Sequence, residues 1–377
     1  MGCSFCYNKN CVNVKGSIIG NDVNNPKEKK DNLSKDNTIS QDNYLSIDSF
    51  EDGAEDDKYK GISKEGIGAY GLVIKVLEKN NHIEYAIKII DILNPNNEKA
   101  GYKEYDILSH CHHPNIISHR TTFREKKSSK TLNIVTEYVN GGNLEQKLND
   151  QLIEKKEYDE DTLIFWLFQI CIGLSYLHKK NIIHRDIKPA NILLTKDGLI
   201  KIADLGLAKQ YKSEKQLKRI NTRAGTYNYM SHEMKKTGIY DKKTDLYSLG
   251  LTFSKFLDQQ KNIYSEEFEN LINSLCEKNP EKRPTSDDIL KNPIIINGMK
   301  KFLEKCNYKE SVANLIMEKL NKNNDNEQVN DSFIKRIKEE RKKILSKKFG
   351  KYDKNIDNKN EKDLDILMCI IARIINQ

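Results

Sequence analysis

Between Tyr59 and Val139 the apolar residues come in short runs broken by glycine or polar turns, a pattern that predicts strands. Ile62, then Leu72-Val73-Ile74-Lys75-Val76-Leu77, then Tyr85-Ala86-Ile87-Lys88-Ile89-Ile90 carry the β-branched and aromatic residues that suit extended backbone. Residues 98–110 predict a helix ending before Pro114. Residues 132–139 predict another strand, stopped by Asn140-Gly141-Gly142. Farther on, residues 163–178 place apolar side chains at helical spacing, including the single tryptophan, Trp166. Strands first and helices afterwards predict an α+β chain with a small β-rich part and a larger helical part.

The flanks read differently. Residues 1–57 are rich in Asn, Asp, Lys and Ser and end in the acidic run Glu51-Asp52 and Glu55-Asp56-Asp57. Such a stretch cannot bury enough surface to offset its ordering entropy, so a disordered N-terminal tail is expected. The folded domain is expected over 58–296, and 297–377 as a charged, partly helical C-terminal extension. That extension holds an Asn-rich break at 321–330, a basic stretch at 335–348 and an apolar end at 364–375. The basic stretch suits a solvated helix, an anionic membrane or a partner groove, and the apolar end suits a partner or an intramolecular contact.

Composition narrows the classes. Of 377 residues 37% are hydrophobic, enough for a sizeable core, and the formal net charge is +8. The lysines are interleaved with acids and accompany no zinc-finger or RNA-binding signature, so no nucleic-acid partner is expected. The start has no apolar signal region, and the longest apolar run, at 364–375, falls far short of the ~20 residues of a membrane span. Cys111, Cys171, Cys276 and Cys306 therefore read as buried thiols in a reducing compartment, and a cytoplasmic location is expected.

Candidate chemistry comes in a fixed order. Gly66-Ile67-Gly68-Ala69-Tyr70-Gly71-Leu72-Val73 has glycines that let backbone N–H groups approach phosphate oxygens. A dinucleotide-binding loop would open a helix at this point, whereas strand residues follow here, which favours a hairpin lid over a nucleotide. Lys88, in the middle of an apolar strand, is suited to reach into a cleft, with Glu104 on the next helix as its charge partner. His184-Arg185-Asp186-Ile187-Lys188-Pro189-Ala190-Asn191 offers Asp186 to take a hydroxyl proton, Lys188 to neutralise a transferring phosphoryl group and Asn191 to ligate a metal. Eighteen residues beyond Asp186, Asp204 in Asp204-Leu205-Gly206 supplies a second hard oxygen ligand, suited to magnesium.

These motifs, in this register, resemble a eukaryotic protein kinase across residues 58–296. The resemblance implies a bilobal fold, a small β-rich N-lobe over a larger helical C-lobe, with ATP and Mg2+ between them and protein Ser/Thr hydroxyls as acceptors. Lys188, two residues past Asp186, is similar to Ser/Thr-specific members. The phrasing around Thr195-Lys196-Asp197-Gly198 and Tyr229-Met230-Ser231 is similar to NIMA-related kinases. By the same resemblance Asp186, Lys188, Lys88 and Glu104 form the catalytic set. Gly66, Ile67, Gly68, Gly71, Val73, Ala86 and Lys88 contact the nucleotide. Thr136 is the gatekeeper, Glu137 and Val139 meet adenine from the hinge, and Leu193 floors the pocket. Asn191 and Asp204 hold the metal, Thr226 positions substrate, Glu233 pairs with Arg283, and Asp245 braces the catalytic loop. Thr222 is the implied activating phosphosite, its phosphate pairing with Arg185.

Four positions depart from the family pattern: Glu65 for an apolar residue, Leu205 for Phe, His232 for Pro and Tyr247 for Trp. None removes a group that performs chemistry. An inactive nucleotide-binding scaffold is the alternative, but such proteins typically lose the equivalents of Lys88, Asp186 or Asp204. Finally, Met1-Gly2-Cys3-Ser4-Phe5-Cys6 resembles a myristoylation start, with Cys3 and Cys6 as palmitoylation sites. Two acyl chains would anchor stably where one holds weakly, so membrane association through Gly2, Cys3 and Cys6 is expected beside the cytoplasmic location.

Overall fold

The computed structural model describes residues 58–68, 71–124, 130–196, 198–211, 224–260 and 263–305. Gly2, Cys3, Cys6, Thr222 and the stretch from 306 onward lie outside the described residues, as do the expectations that fall on them.

Five antiparallel strands make the smaller layer: β1 (Tyr59–Gly68), β2 (Gly71–Glu78), β3 (Glu84–Asp91), β4 (His119–Arg124) and β5 (Thr131–Glu137). Their order is β1-β2-β3-β5-β4. The alternation along β2 and β3 sets the register. Leu72, Ile74 and Val76 pair with Ile89, Ile87 and Tyr85, and all six are buried. The other face carries Val73 opposite Lys88 and Lys75 opposite Ala86, all partly exposed. A slip of one residue would exchange the two faces, so burial of the apolar set also fixes where Lys88 points. Between β3 and β4 lies α1 (Pro95–Ser109). It begins before Glu98 because the Asn94 side chain accepts from Asn96 N and Pro95 takes the first helical position.

The larger layer holds α2 (Leu144–Ile153), α3 (Glu160–Lys179), α4 (His232–Lys236), α5 (Lys243–Gln259), α6 (Glu266–Leu275), α7 (Ser286–Leu290) and α8 (Pro293–Lys305). Two short ribbons cross it, β6 (Ile182–Ile183) with β9 (Lys209–Gln210), and β7 (Ile192–Leu194) with β8 (Ile200–Ile202). The helix α3 is apolar nearly all round because it is the core of this lobe: Leu163, Leu167, Ile170, Cys171, Leu174 and Leu177 are fully buried. Each large aliphatic chain buried there contributes about 1.5–3 kcal/mol of transfer free energy. Gly173 permits the contact with β8, since an added Cβ would lie 2.8 Å from Ile202 Cδ1.

The boundary expected after residue 296 falls inside α8. Met299 is fully buried, Phe302 stacks on Phe165 at 4.1 Å, and a Cβ on Gly298 would meet Ile164 Cγ2 at 2.7 Å. The packed lobe therefore continues through this helix.

Candidate active site

The loop between β6 and β7 is held in shape from below. Arg185 has φ +71°, a left-handed conformation that persists only where surroundings enforce it. Asp245, fully buried at the start of α5, accepts from Arg185 N at 2.8 Å, His184 N at 3.0 Å and His178 Nε2 at 2.9 Å. Burial pushes the Asp245 carboxyl up, but the His178 hydrogen bond and its neighbours outweigh it and hold the group below the usual carboxylate range. The bracing role implied for Asp245 is thus a set of three donors on one carboxylate.

That loop delivers Asp186. One of its oxygens, Oδ1, accepts from both the backbone N–H and the hydroxyl of Thr226, each at 2.7 Å. The other, Oδ2, accepts from Asn191 Nδ2 at 3.0 Å and lies 3.0 Å from Lys188 Nζ. Lys188 Nζ also donates to Thr226 Oγ1 at 2.8 Å. The implied base, cation, metal ligand and substrate-positioning threonine therefore share one hydrogen-bonded cluster. Gly225 makes this possible: at φ +109°, an added Cβ would sit 2.2 Å from Arg185 O.

Above the loop, Lys88 Nζ donates to Glu104 Oε1 and Oε2 at 2.9 and 2.8 Å and to Asp204 Oδ1 at 2.7 Å. Burial opposes the ammonium, yet the two carboxylates outweigh it and hold Lys88 above its ordinary pKa. Burial likewise opposes the Asp204 carboxylate, and Lys88 overrides it, keeping Asp204 low. For Glu104 burial wins and the carboxyl is raised. Asp204 itself stands at φ +61°, and Leu205 beside it is buried, so the apolar contact expected from that substitution is kept.

The sheet face that carries Lys88 follows from register. Ala86 pairs with Thr136, and Lys88 with Val73, which puts these four on one sheet face. Leu193 and Val139 are partly buried and pack against the main apolar core. A Cβ on Gly71 would fall 2.0 Å from Ile89 O, so that glycine is required by the β2–β3 approach. One on Gly66 would meet nothing within 4 Å. Gly68 ends β1, Ile67 precedes it in that strand, and the two residues between Gly68 and Gly71 lie outside the described set. The Glu137 side chain accepts from Ser118 N at 2.8 Å and lies 3.2 Å from the buried Lys201 Nζ.

Below the cluster, Glu233 and Arg283 form the expected pair, with Nη1–Oε1 at 2.8 Å and the Arg283 side chain fully buried. Two of the four unusual residues prove to be partners: the His232 ring meets Tyr247 edge-on at 5.4 Å. The Arg283 guanidinium lies over the Tyr247 ring, 4.9 Å from its centroid. Glu65, a third, accepts from Ser63 Oγ at 2.7 Å and Tyr138 Oη at 3.4 Å at the edge of the hinge. Sequence reasoning did not pair Lys201 with Glu137 or Glu65 with Tyr138. No spacing rule links these residues, because each pair meets between separate parts of the fold: Lys201 and Glu137 lie in strands of different sheets, and Tyr138 lies just beyond β5.

A five-stranded lobe over a helical lobe, with a Lys–Glu–Asp ion cluster facing an Asp–Lys–Asn–Thr cluster, defines a phosphotransferase scaffold of the two-lobed kind. Residues 59–264, more than half of the chain, match the family described as Protein kinase domain, and the chain belongs to that family. It is 31% identical over 272 residues to Serine/threonine-protein kinase Nek1 of Mus musculus, a match covering 66% of this chain and 22% of that protein. It is 34% identical over 264 residues to Serine/threonine-protein kinase Nek9 of Xenopus laevis, covering 63% and 27%. Putative serine/threonine-protein kinase A of Trypanosoma brucei brucei is 26% identical over 289 residues, covering 70% and 66%. The chain thus spans well under half the length of Nek1 and Nek9.

Proposed function

We propose that this chain is an ATP-dependent protein serine/threonine kinase, transferring the γ-phosphate of ATP to Ser and Thr hydroxyls of protein substrates. The observation that carries the reading is Asp186, whose Oδ1 already accepts a threonine hydroxyl at 2.7 Å while Lys188 donates to that same hydroxyl at 2.8 Å. A substrate hydroxyl replacing that of Thr226 would meet the same acceptor for its proton and the same cation for the developing charge. Lys88, kept charged by Glu104 and Asp204, is suited to align phosphates. Gly66 stands at a register irregularity of β1 with open space where a Cβ would lie, which suits close backbone approach to a phosphate.

The donor set fits magnesium. Asn191 commits its amide nitrogen to Asp186, which leaves its oxygen as a hard acceptor, and Asp204 supplies a carboxylate held in ionised form. When bound, the ion would neutralise charge on phosphate oxygens. The scaffold alternative finds no support, since every group it would lack is present and engaged. Transfer of label from ATP to a generic basic protein tests the reading, with Asp204→Asn alongside. Wild type is expected to label, and the variant to lose activity by about 10²-fold or more. No turnover by activated wild type overturns it.

Acylation at Gly2, with Cys3 and Cys6 as further sites, is proposed from the N-terminal motif and would place part of a cytoplasmic population on membranes. Intact mass of protein from its native cell is expected to show acyl adducts, and a mass without them removes the idea. Thr222 is proposed as the activating phosphosite, with Arg185 as one partner.

A further inference from the structure

The face of the larger lobe far from the cleft has an unfilled groove of about 710 Å³ between α3, α6 and α8. Its floor is apolar, with Ile164, Leu271, Pro293 and Ile294, and among the described residues its rim carries Glu160, Asp161 and Glu267 against the single cation Lys301. The acidic character extends beyond the rim. The loop before α3 and the first turn of α6 lie side by side, joined by Tyr264 Oη donating to Tyr158 O at 3.1 Å and by Ser265 Oγ donating to Glu160 Oε1 at 3.0 Å. That junction gathers Glu154, Glu157 and Asp159, with Lys155 and Lys156 between them, from one side and Glu266, Glu267 and Glu269 from the other, an acidic excess. Beside it stand large apolar side chains in solvent: Leu152 is 65% exposed, Ile153 77% and Ile263 53%. A face that is both apolar and acidic is matched by a partner that is apolar and basic.

The chain carries such a segment. Residues 335–348 hold eight Lys or Arg against two Glu. Around them Ile334, Ile337, Ile344 and Leu345 recur at the spacing of one helix face. The route is also short. Lys301 lines the groove, and four residues later the described part of α8 ends. From there to Lys335 is 30 residues of chain. A segment tied to the chain this close to its site meets it at a high effective concentration, in the range where a weak electrostatic contact can form.

We propose that residues 332–349 dock, in the same molecule, into the acidic groove between α3, α6 and α8. Apolar residues of the segment would enter over Ile164 and Leu271, while Lys342 and Lys343 would face Glu266 and Glu267. The site lies away from the phosphoryl-transfer cluster, so the proposal is independent of the catalytic reading.

Zero-length carbodiimide cross-linking of the full chain tests it, with the linked peptides identified by mass. The expected result is an amide between Lys342 or Lys343 and Glu266 or Glu267 at low salt, lost for the most part at ~0.5 M salt, where exposed charges are screened within a few ångströms. This arm needs no variant. In the second arm, E266K/E267K loses the pair, and adding K342E/K343E restores a link of reversed polarity. Glu266 and Glu267 are exposed, so the reversal leaves the core intact. Mixing isotopically light and heavy protein separates the other occupants. Light–heavy links making up about half of the total, as random pairing of copies requires, would make the occupant a second copy and overturn the proposal. So would protection of the segment seen only with anionic phospholipid vesicles, or the absence of any link to α6.

Discussion

His113 is built to stay neutral. Its Nδ1 accepts from Asn115 N at 3.1 Å, and its ring lies 4.9 Å from that of Tyr176. Burial, and secondarily the charge of Lys201, push its pKa from 6.5 down to about 4. Protonation would remove the acceptor of Asn115 N and place a second cation beside Lys201. Because the folded pKa lies below the unfolded one, the unfolded chain binds more protons between these values, and stability falls as the pH drops from about 6.5 to about 4. The loss attributable to this residue is about 2 kcal/mol. Urea unfolding of wild type and His113→Gln at pH 7 and pH 5 is expected to show a steeper acid loss for wild type, and parallel losses would refute the assignment. At the same scale, the two departures His232 and Tyr247 explain one another. The ring lost at one position is replaced by an aromatic contact with the other, while Arg283 keeps both its pair with Glu233 and its face on Tyr247.

At the scale of elements, legibility followed the strength of the local pattern. The strands β2, β3 and β5 were readable because alternation or continuous apolar runs announce them, and α3 because an apolar helix of 20 residues has few alternatives. The strand β4 was not, since His119-Arg120-Thr121-Thr122-Phe123-Arg124 buries only Phe123 and owes its extension to pairing with β5. The start of α1 was set by Asn94 and Pro95, a cap outside the apolar period, and the end of the folded lobe by Met299 and Phe302, whose partners lie in α3 and its surroundings. In the candidate site, Asp186, Lys188 and Asn191, which the structure gathers into one hydrogen-bonded cluster, were legible because they fall within eight residues of one another. The residues that hold them in place, such as Lys201 against Glu137, were not, because they meet across strands distant in the chain.

For the molecule as a whole, the question is what holds the two lobes in the arrangement that keeps Lys88 on Glu104 and Asp204. One side of the interface works against it. Lys103, on α1 one residue before Glu104, is pulled from 10.5 to about 8, by burial first and then by Arg185, Lys209 and Lys99. Arg185 belongs to the catalytic loop and Lys209 to β9, and Lys209 is itself lowered by burial and by Arg185. Cations from both lobes thus crowd together, and among the described residues Arg185 donates to Leu207 O at 2.6 Å and Tyr240 Oη at 2.8 Å. Since the folded pKa of Lys103 lies below the unfolded one, its penalty is fully present below pH 8 and lifts as the pH rises towards 10.5. After allowance for its partial exposure, that penalty is about 1 kcal/mol. A phosphate on Thr222, if brought to this cluster, would turn the repulsion into charge-assisted bonding and draw α1 toward the catalytic loop. Two consequences can be read from melting temperatures at pH 7. Lys103→Met is expected to stabilise the unphosphorylated protein, and to shrink the gain that phosphorylation at Thr222 gives the wild type. An equal gain in both backgrounds would place the phosphate elsewhere, leaving Lys103 a bystander on the surface of α1.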